Sequence, residues 1–127
     1  LEFRRVLFRS LKGRKMKLVT AIIRPHKLED VRSELDKIGV CGITITEIKG
    51  YGKQKGHVEN YRGTEYLINY IPKLKVEIAV NDHEVKNIVN AIISAAKTGV
   101  TGDGKIFVSN LDEVIRIRTN ERGEDAI

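Results

Sequence analysis

The chain has 127 residues, 41% of them hydrophobic, which is one domain's worth of sequence with enough apolar side chains for a core. Its formal net charge of +6 hints at nucleic acid, but residues 1–15 hold six Lys/Arg against one Glu, leaving seventeen against sixteen over residues 16–127; a near-neutral body implies no basic face, and 6% aromatics without tryptophan argue against base stacking. One cysteine excludes a disulfide framework and a multi-cysteine zinc site and fits a reducing compartment, and no apolar run reaches the ~20 residues of a membrane helix.

Residues 1–15 (LEFRRVLFRSLKGRK) lack the apolar centre and small-residue cleavage site of a secretory signal. A mitochondrial or plastid presequence would be longer and richer in serine. These residues are expected to be an extraneous leader, a vector, assembly or upstream translation scar, with one domain over 16–127. Residues 17–23 (KLVTAII) form the first strand candidate, closed by Pro25. Leu28, Val31, Leu35 and Ile38 then recur at helical spacing, with Gly39 as the stop. Residues 43–49 alternate with β-branched side chains and read as a second strand.

From Gly50 to Pro72 the pattern breaks down, and a polar loop of about twenty residues inside a compact domain is functional or disordered. The loop proper is expected at about 52–70 (roughly the whole polar stretch). Alternation returns at 73–80 through Leu74, Val76, Ile78 and Val80. Asn81, with Glu84 three residues on, gives a capping-box signal. Val85, Ile88, Val89, Ile92, Ile93 and Ala96 make one apolar helical stripe. A glycine-rich turn, 99–104, leads into a strand at 105–110, and VIRIR (114–118) is expected as a short final edge strand. The polar tail, 119–127, is expected to be mobile. The order β-α-β, long loop, β-α-β fits an α+β, ferredoxin-like βαββαβ sandwich with both helices on one face of an antiparallel sheet. The other face is expected to be apolar as well, and to be buried in an oligomer.

Three features could carry chemistry. In TGVTGDGK (98–105), Gly99, Gly104 and Lys105 match the core of a phosphate-binding loop. Ile106 stands where the magnesium-holding Ser or Thr would be, and a strand follows instead of a helix, so the Walker reading fails. The glycines would still let backbone N–H groups approach an anion, with Lys105 adding a charge-assisted contact. A tight helix-to-strand connection with a solvated lysine fits the same pattern. Arg116 and Arg118, two apart on the expected strand, share a face and would accept a polyphosphate between them, or merely guard an edge against aggregation. The long loop holds all four tyrosines, Tyr51, Tyr61, Tyr66 and Tyr70, which points to a partner surface. His26, His57 and His83 lack zinc spacing, Cys41 is expected to be buried, and no Ser-His-Asp set or partnered carboxylate pair marks an active site.

Residues 16–127 resemble the PII signal-transduction proteins of nitrogen metabolism along essentially their whole length. The resemblance rests on TEIKGYGKQKGH (46–57), YRGTEY (61–66), TGVTGDGKIFV (98–108) and VIRIRT (114–119) taken together. It implies a non-enzymatic, cytoplasmic homotrimer that binds ATP or ADP between subunits and, with Mg-ATP, 2-oxoglutarate, which reshapes the long loop (the T-loop). Carried over by residue, nucleotide contacts fall on Gly42, Thr44, Gly50, Gly52, Lys53, Glu77, Thr98, Gly102, Asp103, Gly104, Lys105, Arg116 and Arg118. The two arginines would act in part across the subunit boundary. Gln54 matches the ligand of Mg²⁺ that also touches 2-oxoglutarate, Lys73 the partner of its distal carboxylate, and Tyr66 the uridylylated tyrosine. Tyr51 stands where phenylalanine is common and Lys53 where arginine is, which keeps the charge but not the bidentate geometry. Thr64 replaces a serine that some photosynthetic members phosphorylate. The opening MKLVT and Asn69 lean toward GlnK, the ammonium-channel-pairing subtype, over GlnB. Implied partners are an ammonium transporter, an adenylyltransferase or nitrogen sensor kinase, and a uridylyltransferase, without nucleic acid or membrane insertion. The rival classes are a weak ATP-hydrolysing enzyme, for which no base is evident, and an RNA-binding ferredoxin-like module, which would want aromatics on the sheet and a basic face.

Overall fold

A computed structural model describes residues 15–51, 58–61, 64–67 and 70–127, the two short middle stretches by their backbone alone. Met16–Ile23 forms β1, whose alternation turns Val19, Ala21 and Ile23 to one side, where they are almost wholly buried. Arg24 stays extended before Pro25, whose ring sets the first residue of the 3-10 turn Pro25–Lys27. Helix α1, Leu28–Lys37, follows; Val31 and Leu35, four apart, are its buried stripe, and Gly39 at φ +87° lets the chain leave it. Strand β2 is Thr44–Tyr51, β3 is Val58–Tyr61, β4 is Thr64–Leu67 and β5 is Tyr70–Asn81. Helix α2, Val85–Ala96, buries Ile88, Ile92 and Ala96 along one stripe, and β6, Lys105–Leu111, closes the order.

The main sheet runs β2-β5-β1-β6 with every neighbour antiparallel. Val19 stands opposite Ile78 on β5 and Val108 on β6, and Ala21 opposite Val76 and Ile106. Val19, Ala21, Val76 and Ile78, with Ile106 packed against them, form one core with the stripes of both helices, so both helices cover the same face. Each fully buried Val, Leu or Ile there contributes about 1.5–3 kcal/mol. The α+β, ferredoxin-like architecture expected from the pattern is the one observed. No helix among the described residues is long and apolar enough to cross a membrane.

Several local expectations need correction. The loop between β2 and β5 is not without regular structure: β3 and β4 pair as an antiparallel hairpin, Val58 opposite Leu67 and Tyr61 opposite Thr64. Their four-residue runs hold β-branched and aromatic residues, but are too short to show a period. VIRIR is not an edge strand. It makes a single bridge, Ile115 to Arg122, because Asn120 at φ +60° turns the chain back on itself. The tail folds onto this arm through Arg116 N–H to the Glu121 carbonyl (2.9 Å) and Gly123 N–H to the Val114 carbonyl (2.9 Å), and ends in a 3-10 turn, Gly123–Ala126.

The capping box does not form. Asn81 precedes a 3-10 turn, Asp82–Glu84, and its side chain makes no capping bond; its Oδ1 is buried without a partner among the described residues. Cys41 is exposed rather than buried, since it lies in the connection between α1 and β2 and not in the sheet. The helix-free face is mixed rather than apolar. By register it carries Leu18, Ile22 and Phe107, but also Thr20, Thr44, Lys75, Glu77 and Lys105.

Candidate functional site

The chain leaves α2 at Lys97 and must turn sharply into β6. Asp103 shapes that turn. Its Oδ2 accepts the N–H groups of Thr98 and Gly99 (2.8 Å each), and its Oδ1 accepts the Thr98 hydroxyl and Arg24 Nε (3.2 Å). The Thr98 hydroxyl bond and these backbone and Arg24 donors hold the Asp103 carboxyl well below the usual carboxylate range. Two carbonyls of the turn are tied off by cations: Thr101 O by Arg24 Nη2 (2.8 Å) and Gly102 O by Lys73 Nζ. Gly102 and Gly104 have φ of +105° and +99°. A Cβ on Gly104 would lie 1.7 Å from the Ile22 carbonyl oxygen, so only glycine lets the turn approach β1 this closely.

The carbonyl oxygens of Thr101 and Gly102 are thus engaged by side chains, and the N–H groups of Gly102 and Gly104 have no partner among the described residues. Lys105 follows, exposed, with no ion pair among the described residues. Free backbone donors beside a free cation make a receptive place for an anion. The residues fit a phosphate.

Lys73 is buried at 7% exposure, with Gly50 packed against its stem: a Cβ at Gly50 would meet Lys73 Cγ at 3.4 Å. Burial first, and then the neighbouring Arg24 charge, lowers its pKa, while Asp103 opposes the shift. Arg24, Lys73 and Asp103 therefore form one network under the turn. A cleft of about 490 Å³ at the foot of the loop is lined by Pro25, Ile48, Lys49 and Lys73 among others. On the helix side, an apolar cleft of about 430 Å³ lies between α2 and β6, closed at one end by Asp103, Gly104 and Lys105.

The candidate residues fall into three groups. Gly50, Lys73, Thr98, Gly102, Asp103, Gly104 and Lys105 gather at the loop end of the sheet. Thr44 and Glu77 face each other in register on the helix-free face, where Thr20 Oγ1 donates to Glu77 Oε2 (3.5 Å); Gly42 lines a cleft of about 400 Å³ with Cys41 and Glu84. Glu77 and Lys105 share that face but stand two strands apart, with β1 between them. Arg116 pairs with Glu121 (2.9 Å), and Arg118 is exposed in the turn beyond it. No hydrogen bond or ion pair among the described residues joins either arginine to the glycine turn. Gly52, Lys53 and Gln54 lie outside the described residues, as does the side chain of Tyr66 on β4.

Arg24 escaped the sequence reading. Its only signal was position, an arginine at the end of a strand directly before Pro25.

Comparison with known proteins adds a consistent set of likenesses. A family model described as "Nitrogen regulatory protein P-II" matches residues 16–121. The chain is 54% identical over 112 residues to "Nitrogen regulatory protein P-II" of Pasteurella multocida (strain Pm70), covering 88% of this chain and 100% of that protein. It is likewise 54% identical over 112 residues to "Nitrogen regulatory protein GlnK" of Escherichia coli (strain K12), with the same coverage. Among solved structures, Arabidopsis thaliana PII bound to citrate superposes with a TM-score of 0.74 at 40% identity, covering 89% of this chain and 92% of that one.

Proposed function

The chain belongs to the P-II family of nitrogen regulatory proteins, and from that premise we propose that it is a cytoplasmic, homotrimeric integrator that reads ATP against ADP and, with Mg-ATP, 2-oxoglutarate. The observation that carries this reading is the glycine turn: two carbonyls tied off by cations, with the N–H groups of Gly102 and Gly104 and the Lys105 ammonium beside them without a partner among the described residues. That arrangement suits the phosphates of a nucleotide. Gly42, Thr44 and Glu77 would serve the nucleotide from a second copy of the chain, with Arg116 and Arg118 reaching the phosphates. Gly50, Gly52 and Lys53 would complete the loop side, and Lys73 would meet a carboxylate of 2-oxoglutarate. Gln54 would hold Mg²⁺, whose charge bridges ATP and 2-oxoglutarate.

The loop would then be the output. Ligand state sets its shape only by differential affinity for the loop's conformations. Targets would be an ammonium transporter, favoured by the GlnK-like features, and an adenylyltransferase or nitrogen sensor kinase; uridylylation at Tyr66 would add a phosphodiester to the loop and block docking. The role is regulatory rather than enzymatic.

Calorimetry with ADP and with Mg-ATP tests the reading. The full chain should bind both, and 2-oxoglutarate only after Mg-ATP. Lys105→Ala should weaken both nucleotides by roughly ten- to a hundred-fold, as loss of a charge-assisted contact does. Unchanged nucleotide affinity in Lys105→Ala would remove the turn from the site.

A further inference from the structure

The glycine turn is held in shape by a side chain that belongs to none of the ligand positions above. Arg24 stands at the end of β1, extended at φ −67° and ψ 139°, and Pro25 restricts it to that conformation. Its side chain is 24% exposed and its guanidinium sends two donors into the turn: Nε to Asp103 Oδ1 at 3.2 Å and Nη2 to the Thr101 carbonyl at 2.8 Å. Asp103 in turn accepts the N–H groups of Thr98 and Gly99. One planar fork therefore ties the start, middle and end of the turn to the central strand of the sheet.

We propose that Arg24 is a positioning residue for anion binding: it fixes the turn through Asp103 and Thr101 without itself touching the ligand. This rests on reading the turn as the phosphate site. Nε and Nη2 are engaged inside the protein and Asp103 pairs with the guanidinium, whereas Lys105 has no ion-pair partner among the described residues. A lysine at position 24 would keep the charge but reach one acceptor at a time, so the fork, not the charge alone, sets the geometry. The lowered pKa of Asp103 agrees with this, because Arg24 is one of the donors that hold it ionised.

Two measurements on the full chain separate the latch from the nucleotide reading. The first needs no ligand: amide hydrogen exchange at Thr98 and Gly99 should quicken by about tenfold or more in Arg24→Ala, a sub-global opening, while β5 amides keep their protection. Unchanged exchange at those two amides overturns the latch. The second is a double-mutant cycle for ADP affinity with Arg24→Ala and Asp103→Asn. Each single change should weaken ADP by roughly tenfold, and the double variant should be little worse than Asp103→Asn alone. Arg24→Lys should recover part of the loss. Losses that multiply in full in the double variant would mean that Arg24 acts on the ligand apart from Asp103, and would overturn the proposal. If exchange quickens as expected but the unsubstituted chain binds no ADP, the latch stands and the nucleotide reading falls.

Discussion

Gly104 and Gly99 lie in the same turn and both have positive φ, yet substitution should affect them very differently. At Gly99, φ +85°, an added Cβ meets nothing within 4 Å, so Gly99→Ala should cost only the left-handed penalty of about 1–2 kcal/mol. At Gly104 the Cβ would collide with the Ile22 carbonyl, so β6 must move off β1. Thermal melts should therefore rank Gly104→Ala far below Gly99→Ala; equal melting temperatures would contradict the close approach. Asp103 gives a second test at this scale. Its folded pKa lies below the unfolded value of 3.8, so the unfolded chain takes up the proton first. The stabilisation is complete above that value and is lost as pH falls below it. Urea midpoints measured from about pH 6 down to about pH 2 should fall more steeply for the unsubstituted chain than for Asp103→Asn, whose residue 103 does not titrate. Parallel curves would deny Asp103 its role in the turn.

The elements that were legible in the sequence are those whose apolar period repeats for two turns or more. Val31 and Leu35 mark α1, and Ile88, Ile92 and Ala96 mark α2, because burial on one face imposes the spacing. Leu35→Ala should cost about 2–5 kcal/mol by urea unfolding, as a cavity in the core does. Ile93→Ala, on the same kind of stripe but 46% exposed, should cost much less. What the period cannot show is pairing over four residues, as in β3 and β4, or a reversal set by one residue, as at Asn120. The capping signal at Asn81 failed for a related reason: the chain enters α2 through a 3-10 turn, and the Asn81 side chain makes no bond to the helix amides. Within the candidate site, the glycines and Lys105 were readable as a motif. Arg24 was not, because its partners lie more than seventy positions away and only the β1–β6 pairing brings them together.

For the whole molecule the deciding fact is where the candidate residues are not joined. The glycine turn lies at the loop end of the sheet, Thr44 and Glu77 face the open side of the sheet across β1, and the Arg116–Arg118 arm is folded on its own tail. On the proposed reading, one nucleotide would touch all three groups only with a second copy of the chain supplying some of them. The surface offers apolar area for such contact: Phe107 is 54% exposed on the helix-free face, and Ile117 is fully exposed between the two arginines. A polar–apolar mixture of this kind suits an interface with defined register better than non-specific collapse. Light scattering should then give about three times the monomer mass for residues 16–127, a closed cyclic assembly. Phe107→Arg should lower that mass without unfolding the subunit, since its side chain is outside the core. If the proposed site is shared between copies, nucleotide affinity should fall with the mass, because Lys105 would keep its turn but lose what Arg118 and Glu77 of another copy supply. Dilution of the unsubstituted protein should trace the same link, with ADP binding lost over the concentration range in which the assembly dissociates. A stable monomer that binds ADP as tightly as the assembled protein would show that the glycine turn suffices alone, and that the other two groups serve something else.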